Sequence, residues 1–157
     1  QIATIQLDIN MPERFDLVCI NEKGERERIV MVHAAIMGSL ERFIAVLLEH
    51  FGGALPFWLS PVQATVLSIN DEVGGYAKSI LKKLGEKELR AEINDRNETI
   101  GKKIREAEMQ KIPYLLIVGP KEMKEKTVAV RQRQKGDLGA MSMEKFFELA
   151  KAELPGF

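Results

Sequence analysis

Three places in this chain of 157 residues carry side chains that could do chemistry. Glu41 and Arg42 stand inside an otherwise apolar helix start, where a rigidly held guanidinium can fork onto phosphate oxygens. Gln6 lies on the polar side of an alternating stretch, and His33 ends the apolar run Ile29 to Val32. The stretches Asn94-Asp95-Arg96-Asn97 and Gly119 to Lys126 concentrate amide, carboxylate and cationic groups of the kind that address base edges and phosphates. Every one of these groups also has a plain reading as solvated polar surface, and pattern alone leaves both readings open. A three-ligand zinc site is not expected from this chain alone. Two histidines and one cysteine, with neither histidine paired at ligand spacing, cannot supply the three protein ligands a catalytic zinc needs.

The elements that must position these groups fall into two textures. Ala3, Ile5, Leu7 and Ile9 alternate with Thr4, Gln6 and Asp8, which predicts a half-buried strand with Gln6 facing away from the core. Asn10 to Pro12 reads as a turn, and Phe15 to Ile20 as a second strand with Cys19 as an inert core thiol. Asn21 to Gly24 reads as a hairpin, and Arg28 to Val32 as the returning strand, so the start is an antiparallel meander. Ile36, Leu40, Phe43, Ile44, Leu47, Leu48 and Phe51 recur on one helix face that Gly52 and Gly53 stop. The segment 54–61 holds two prolines and the only tryptophan, and reads as a linker anchored by Trp58 packing between domains.

From Val62 the order becomes strand, helix, strand, helix, strand, with the strands at Ala64 to Ile69, Leu89 to Ile93 and Tyr114 to Val118. The helices are Val73 to Leu84, ended by Gly85, and Thr99 to Lys111 with Ile100, Ile104 and Met109 inward. Thr127 to Arg133 adds a fourth strand, and Ser142 caps a last helix. The fold class is α/β with a mostly parallel mixed sheet, and right-handed crossovers follow. In such a sheet, sites form beyond the carboxyl ends of the strands, which is where the loops at 94–97 and 119–126 lie.

Composition adds bounds. Lys plus Arg and Asp plus Glu both number 23, so no global basic field points to nucleic acid. Residues 1–61 carry 5 basic and 8 acidic side chains, and 62–157 carry 18 and 15, so the second half is modestly basic. A single cysteine excludes an internal disulfide framework, and no apolar run is long enough for a membrane span. Cytoplasm is the expected location. The chain begins at Gln1 inside an alternating pattern without a basic-then-apolar leader, and so reads as a piece of something larger.

The string GSLERFIAVLLEHFGGALPFWLSPVQ resembles the third signature motif of class II aminoacyl-tRNA synthetases as it occurs in threonyl-tRNA synthetases, with their passage into the anticodon-binding domain. Further on, DRNETIGKKIRE and VAVRQRQKGDLG look like the threonyl version of that domain, shared with the prolyl, histidyl and glycyl enzymes. The resemblance implies residues 1–53 as the antiparallel α+β end of a class II catalytic domain, 54–61 as linker and 62–157 as anticodon-binding domain. It further implies that Arg42 and Gln1 serve ATP with its Mg2+, Arg42 in a catalytic role. Gln6, His33 and Ser39 would serve threonine, with His33 one of three ligands of a zinc ion that reads threonine. Asn97, Glu122 and Arg131 would contact anticodon bases of tRNA(Thr). Lys102, Lys103, Arg105, Lys121, Lys124, Lys126 and Arg133 would hold phosphates. Ile2-Ala3 departs from the Cys-Gly usual in the family, and Ala34 from its arginine.

The parent enzyme, a homodimer on this resemblance, would activate threonine with ATP and transfer it to tRNA, whereas this chain alone is expected to be inactive and to bind no cofactor tightly. The competing reading is a stand-alone or repurposed anticodon-type module that binds RNA or protein and catalyses nothing.

Overall fold

The computed structural model describes residues 3–155. They divide into two compact units, Gln1–His50 and Phe51–Phe157. In the first unit, β1 (Thr4–Asp8) pairs antiparallel with β4 (Met31–Ala35), and β2 (Val18–Ile20) pairs with β3 (Arg26–Arg28). The result is two separate ribbons rather than the expected meander, because β4 closes on β1 and leaves β2 and β3 to each other. The expected turn at Asn10 to Pro12 is the short helix α1 (Asn10–Arg14), started where Asp8 Oδ1 accepts the N–H groups of Asn10 and Met11 at 2.9 Å each. The hairpin at Asn21 is present, held by its side chain accepting from Lys23 and Glu25.

Helix α2 (Leu40–Phe51) begins four residues later than its apolar pattern, because Gly38 takes a left-handed φ of 58° just before it. Gly52 and Gly53, at φ 53° and 77°, stop it as the sequence predicts. Its apolar face is not buried, and among the described residues of the unit only Pro12 is. Ile5 and Leu7 are 77% and 75% exposed, and Cys19 is exposed, contrary to the expected half-buried strand and core thiol. Two-stranded ribbons and short helices offer too little opposing surface to cover these side chains.

The second unit has a true core. Its five-stranded sheet runs β6-β5-β7-β8-β9, from β5 (Ala64–Ser68), β6 (Ala91–Asn94), β7 (Tyr114–Val118), β8 (Val128–Gln132) and β9 (Gly136–Met141). The first three strands are parallel, and β8 and β9 follow as an antiparallel hairpin. Helices α3 (Gly74–Glu86) and α6 (Met143–Lys151) cover one face, where Ile80, Leu84 and Phe146 meet Val66, Leu116 and Val130. Helix α4 (Ile100–Met109) covers the other, where Ile104 and Ala107 meet Leu67 and Leu115.

Three residues depart from their expected places. Gly85 lies inside α3, whose last turn runs to Glu86 before Glu88 takes a positive φ. Met109 is 74% exposed, because the inward stripe of α4 runs through Ile100, Ile104 and Ala107 and leaves it outside. Phe57, not Trp58, is the buried anchor of the 54–61 segment; its ring meets Tyr114 edge-on at 5.5 Å while Trp58 stays half exposed.

Candidate functional site

In the first unit, Gln6 and His33 are direct cross-strand partners in the β1–β4 ribbon. Residues so paired project from the same face with Cβ atoms about 5 Å apart. Asp8, two residues along β1, shares that face, and its Oδ2 lies 3.1 Å from His33 Nε2. The N–H of Met11 is the main cause that holds the Asp8 carboxyl below its ordinary value, with smaller contributions from His33 and the N–H of Asn10. Asp8 escaped the sequence reading, although its alternation with Gln6 was the available signal. Ser39, just before α2, donates its hydroxyl to Glu41 Oε2 at 2.6 Å and lowers that carboxyl's pKa. Arg42 is exposed in the first turn of α2. Gln1 lies outside the described residues.

Zinc does not fit these residues by themselves. Among the described residues no group of three or more His, Cys, Asp or Glu could hold a metal ion, and His33 already faces Asp8. The first unit therefore gathers an amide, an imidazole and a carboxylate on one ribbon face, a set that can orient a small polar substrate by hydrogen bonds.

In the second unit, Asn97 is exposed in the loop between β6 and α4. That loop is braced by charge. Arg96 pairs with Glu106 and Glu98, and Lys102 with Glu98 at 2.6 Å. Lys102 is the main reason the Glu98 carboxyl sits low, and Glu106 the main reason the Arg96 guanidinium sits high. Arg131 stands at the other end of α4, on β8, where its Nε donates to Glu108 Oε1 at 3.0 Å. Helix α4 has ten residues, so about 15 Å separates its two ends.

Glu122 lies elsewhere, in the short helix α5 (Pro120–Glu125) that stands in place of the expected loop. Its Oε2 accepts the Gly119 N–H at 2.9 Å, capping α5. The structure thus sets Asn97 and Arg131 at opposite ends of one helix and gives Glu122 a cap to hold at the end of β7.

Two expected phosphate holders have other work. Lys103 is 2% exposed, and its Nζ donates to the Ser68 carbonyl at 2.7 Å, tying α4 to the end of β5. Arg133 donates to the carbonyls of Lys111, Ala54 and Leu55, and its burial lowers its pKa. Arg90, which the sequence reading passed over, does the same for Trp58 and Ser60. The 54–60 segment is therefore clamped within the second unit by two guanidinium groups. Lys121, Lys124 and Lys126 remain exposed on and beside α5.

Comparison with known proteins agrees with this division. Residues 63–153 match the family described as "Anticodon binding domain", and residues 1–51 match "tRNA synthetase class II core domain (G, H, P, S and T)". A threonine–tRNA ligase of Clostridium tetani is 55% identical over 146 residues, covering 93% of this chain and 23% of that protein. One from Carboxydothermus hydrogenoformans is 53% identical over 154 residues, covering 98% and 24%. The chain thus spans about a quarter of the length of the curated relatives it matches. The crystal structure of the RNA binding domain of threonyl-tRNA synthetase from Cryptosporidium parvum superposes with a TM-score of 0.88 at 38% identity, covering 99% of this chain and 40% of that one. With a fragment of the class II core followed by an anticodon-binding domain, and with this identity along nearly its whole length, the chain belongs to the threonyl-tRNA synthetases, as part of their carboxy-terminal region.

Proposed function

We propose that this chain supplies the anticodon reader and part of the substrate site of an enzyme that activates threonine with ATP and transfers it to tRNA(Thr). Asn97, Glu122 and Arg131 address anticodon bases, while Lys121, Lys124 and Lys126 attract phosphates without reading sequence. The observation that carries this reading is the placement of Asn97 and Arg131 at the two ends of α4, which leaves a span of about 15 Å. Splayed single-stranded bases can bridge such a span.

In the first unit, Arg42 takes the catalytic role of neutralising charge on the ATP phosphates, and Gln1 also serves ATP. Gln6, His33 and Ser39 orient threonine by hydrogen bonds. In the whole enzyme ATP acts with Mg2+, and His33 would give one ligand to a zinc ion whose other ligands this chain does not supply. The domain division that goes with this reading is core at 1–53, linker at 54–61 and anticodon-binding domain at 62–157. A homodimer in the cytoplasm, working with the remaining part of the synthetase, completes the proposal.

The test is to offer the purified chain unfractionated tRNA and to sequence what is retained. Enrichment of threonine isoacceptors supports the proposal. Equal retention of all tRNAs, lost together as salt rises, would favour the module that binds RNA without reading it.

A further inference from the structure

Arg131 is held in a manner that the base-reading role alone does not require. Its Nε donates to Glu108 Oε1 at 3.0 Å, and its two terminal nitrogens have no partner among the described residues. A guanidinium carries five N–H donors in a planar fork, so a carboxylate engaged at Nε leaves the four on the terminal nitrogens available. The strand geometry singles out the same position. Arg131 faces Asp137 across β9, and the β8–β9 register shifts between Val130 and Arg131. The extra residue at that shift is Leu138 on β9, so β8 keeps its regular alternation and presents Arg131 on the face opposite Val130 and Gln132. Asp137 does not do what Glu108 does, since its Oδ1 accepts the Gly139 N–H at 2.8 Å.

We propose that Glu108 is a positioning residue for anticodon discrimination: engaged at Nε, it fixes the plane of the Arg131 guanidinium so that the terminal nitrogens meet a base edge. The proposal rests on the reading of Arg131 as a base contact. The Arg131 and Glu108 side chains are 41% and 46% exposed, so a single-stranded base can reach the pair, and an ion pair this exposed adds little to folding.

The sign of one measurement separates this role from simple electrostatics. A carboxylate on an RNA-binding face repels phosphates, so removing Glu108 would tighten every RNA if charge were all that mattered. A buttress predicts the reverse, a loss confined to the RNA whose base Arg131 addresses.

The experiment is equilibrium binding of the full chain, with Glu108→Ala, Arg131→Ala and the double substitution, to a stem-loop carrying a threonine anticodon and to versions with each anticodon base changed in turn. Arg131→Ala should weaken the threonine stem-loop by about 5- to 150-fold, and by much less the version altered at the base it reads. Glu108→Ala should weaken the threonine stem-loop by about 3- to 5-fold, should spare the same altered version, and should cost nothing more once Arg131 is gone. Glu108→Gln, which keeps an acceptor oxygen without the charge, should restore part of the loss. Tighter binding of all stem-loops by Glu108→Ala, or a loss that adds in full to that of Arg131→Ala, overturns the buttress while leaving Arg131 as a reader. Equal losses on every stem-loop from Arg131→Ala would instead remove the reading of Arg131, and the buttress with it.

Discussion

Lys103 is a buried cation whose ammonium donates to the Ser68 carbonyl at the end of β5. Counted with its basic neighbours it reads as a phosphate holder, yet it occupies the inward stripe of α4 with Ile100, Ile104 and Ala107. That three-and-four spacing was legible, and the charge masked it. Replacing Lys103 by Ala removes buried stem packing and the one hydrogen bond its ammonium makes to the end of β5, and should cost about 2–4 kcal/mol in urea unfolding. The slope of RNA affinity against salt should not change; a slope reduced by about 1 would make it a phosphate contact after all. Tyr114 offers a second residue-level test. Burial and the Glu153 carboxylate, to which its phenol donates, raise its pKa, while Gln132 donates to the phenol at 3.0 Å. Because the folded value is raised, the phenol's contribution is complete below its unfolded value near about pH 10 and is lost as pH rises beyond it. Tyr114→Phe should therefore be less stable at neutral pH by about 1–2 kcal/mol, and its stability should fall less steeply in alkali than that of the wild type.

Among the elements, α5 and β9 were the least legible. Gly119-Pro120 reads as a turn, but proline at the first helical position and Glu122 two residues on are also helix-start signals, and six residues give no periodicity to choose between them. Strand β9 contains Gly136 and Gly139, which lower strand propensity, and it exists because β8 presents a ladder to pair with. By contrast, Tyr114 to Val118 and the Ser142 cap stand where the pattern puts them, the cap accepting from Lys145 N. Gly119 gives an element-level prediction. A Cβ there would come within 2.7 Å of Ile69 Cδ1 and 2.9 Å of Glu122 Oε2, both at the ends of flexible side chains. Gly119→Ala should therefore cost little stability, roughly 1 kcal/mol or less, while displacing Glu122 from its cap. If Glu122 reads a base, this variant should lose affinity for a threonine stem-loop as Glu122→Ala does; unchanged affinity in both would limit Glu122 to capping.

At the scale of the whole molecule, the two units differ in what holds them together. The second encloses Phe57, Val66, Ile80, Leu116 and Phe146 in one cluster and carries its own linker clamp, so residues 51–157 should melt cooperatively without the rest. The first leaves Ile5, Leu7, Val32, Leu40 and Ile44 exposed, and residues 1–50 alone should aggregate; a soluble, cooperatively melting 1–50 fragment would contradict that. Apolar pattern announced which faces want cover, but whether cover arrives depends on surfaces that no local pattern encodes, which is why β1 and α2 were read as buried. The second unit is proposed to read anticodon bases and not merely to attract RNA. The most direct measurement is the affinity of the wild-type chain for stem-loops that differ only at anticodon bases, taken at two salt concentrations. A change at a base the chain reads should cost about 1–3 kcal/mol at either salt, while all affinities fall together as salt rises. Equal affinity for every anticodon, with only the salt dependence remaining, would contradict it.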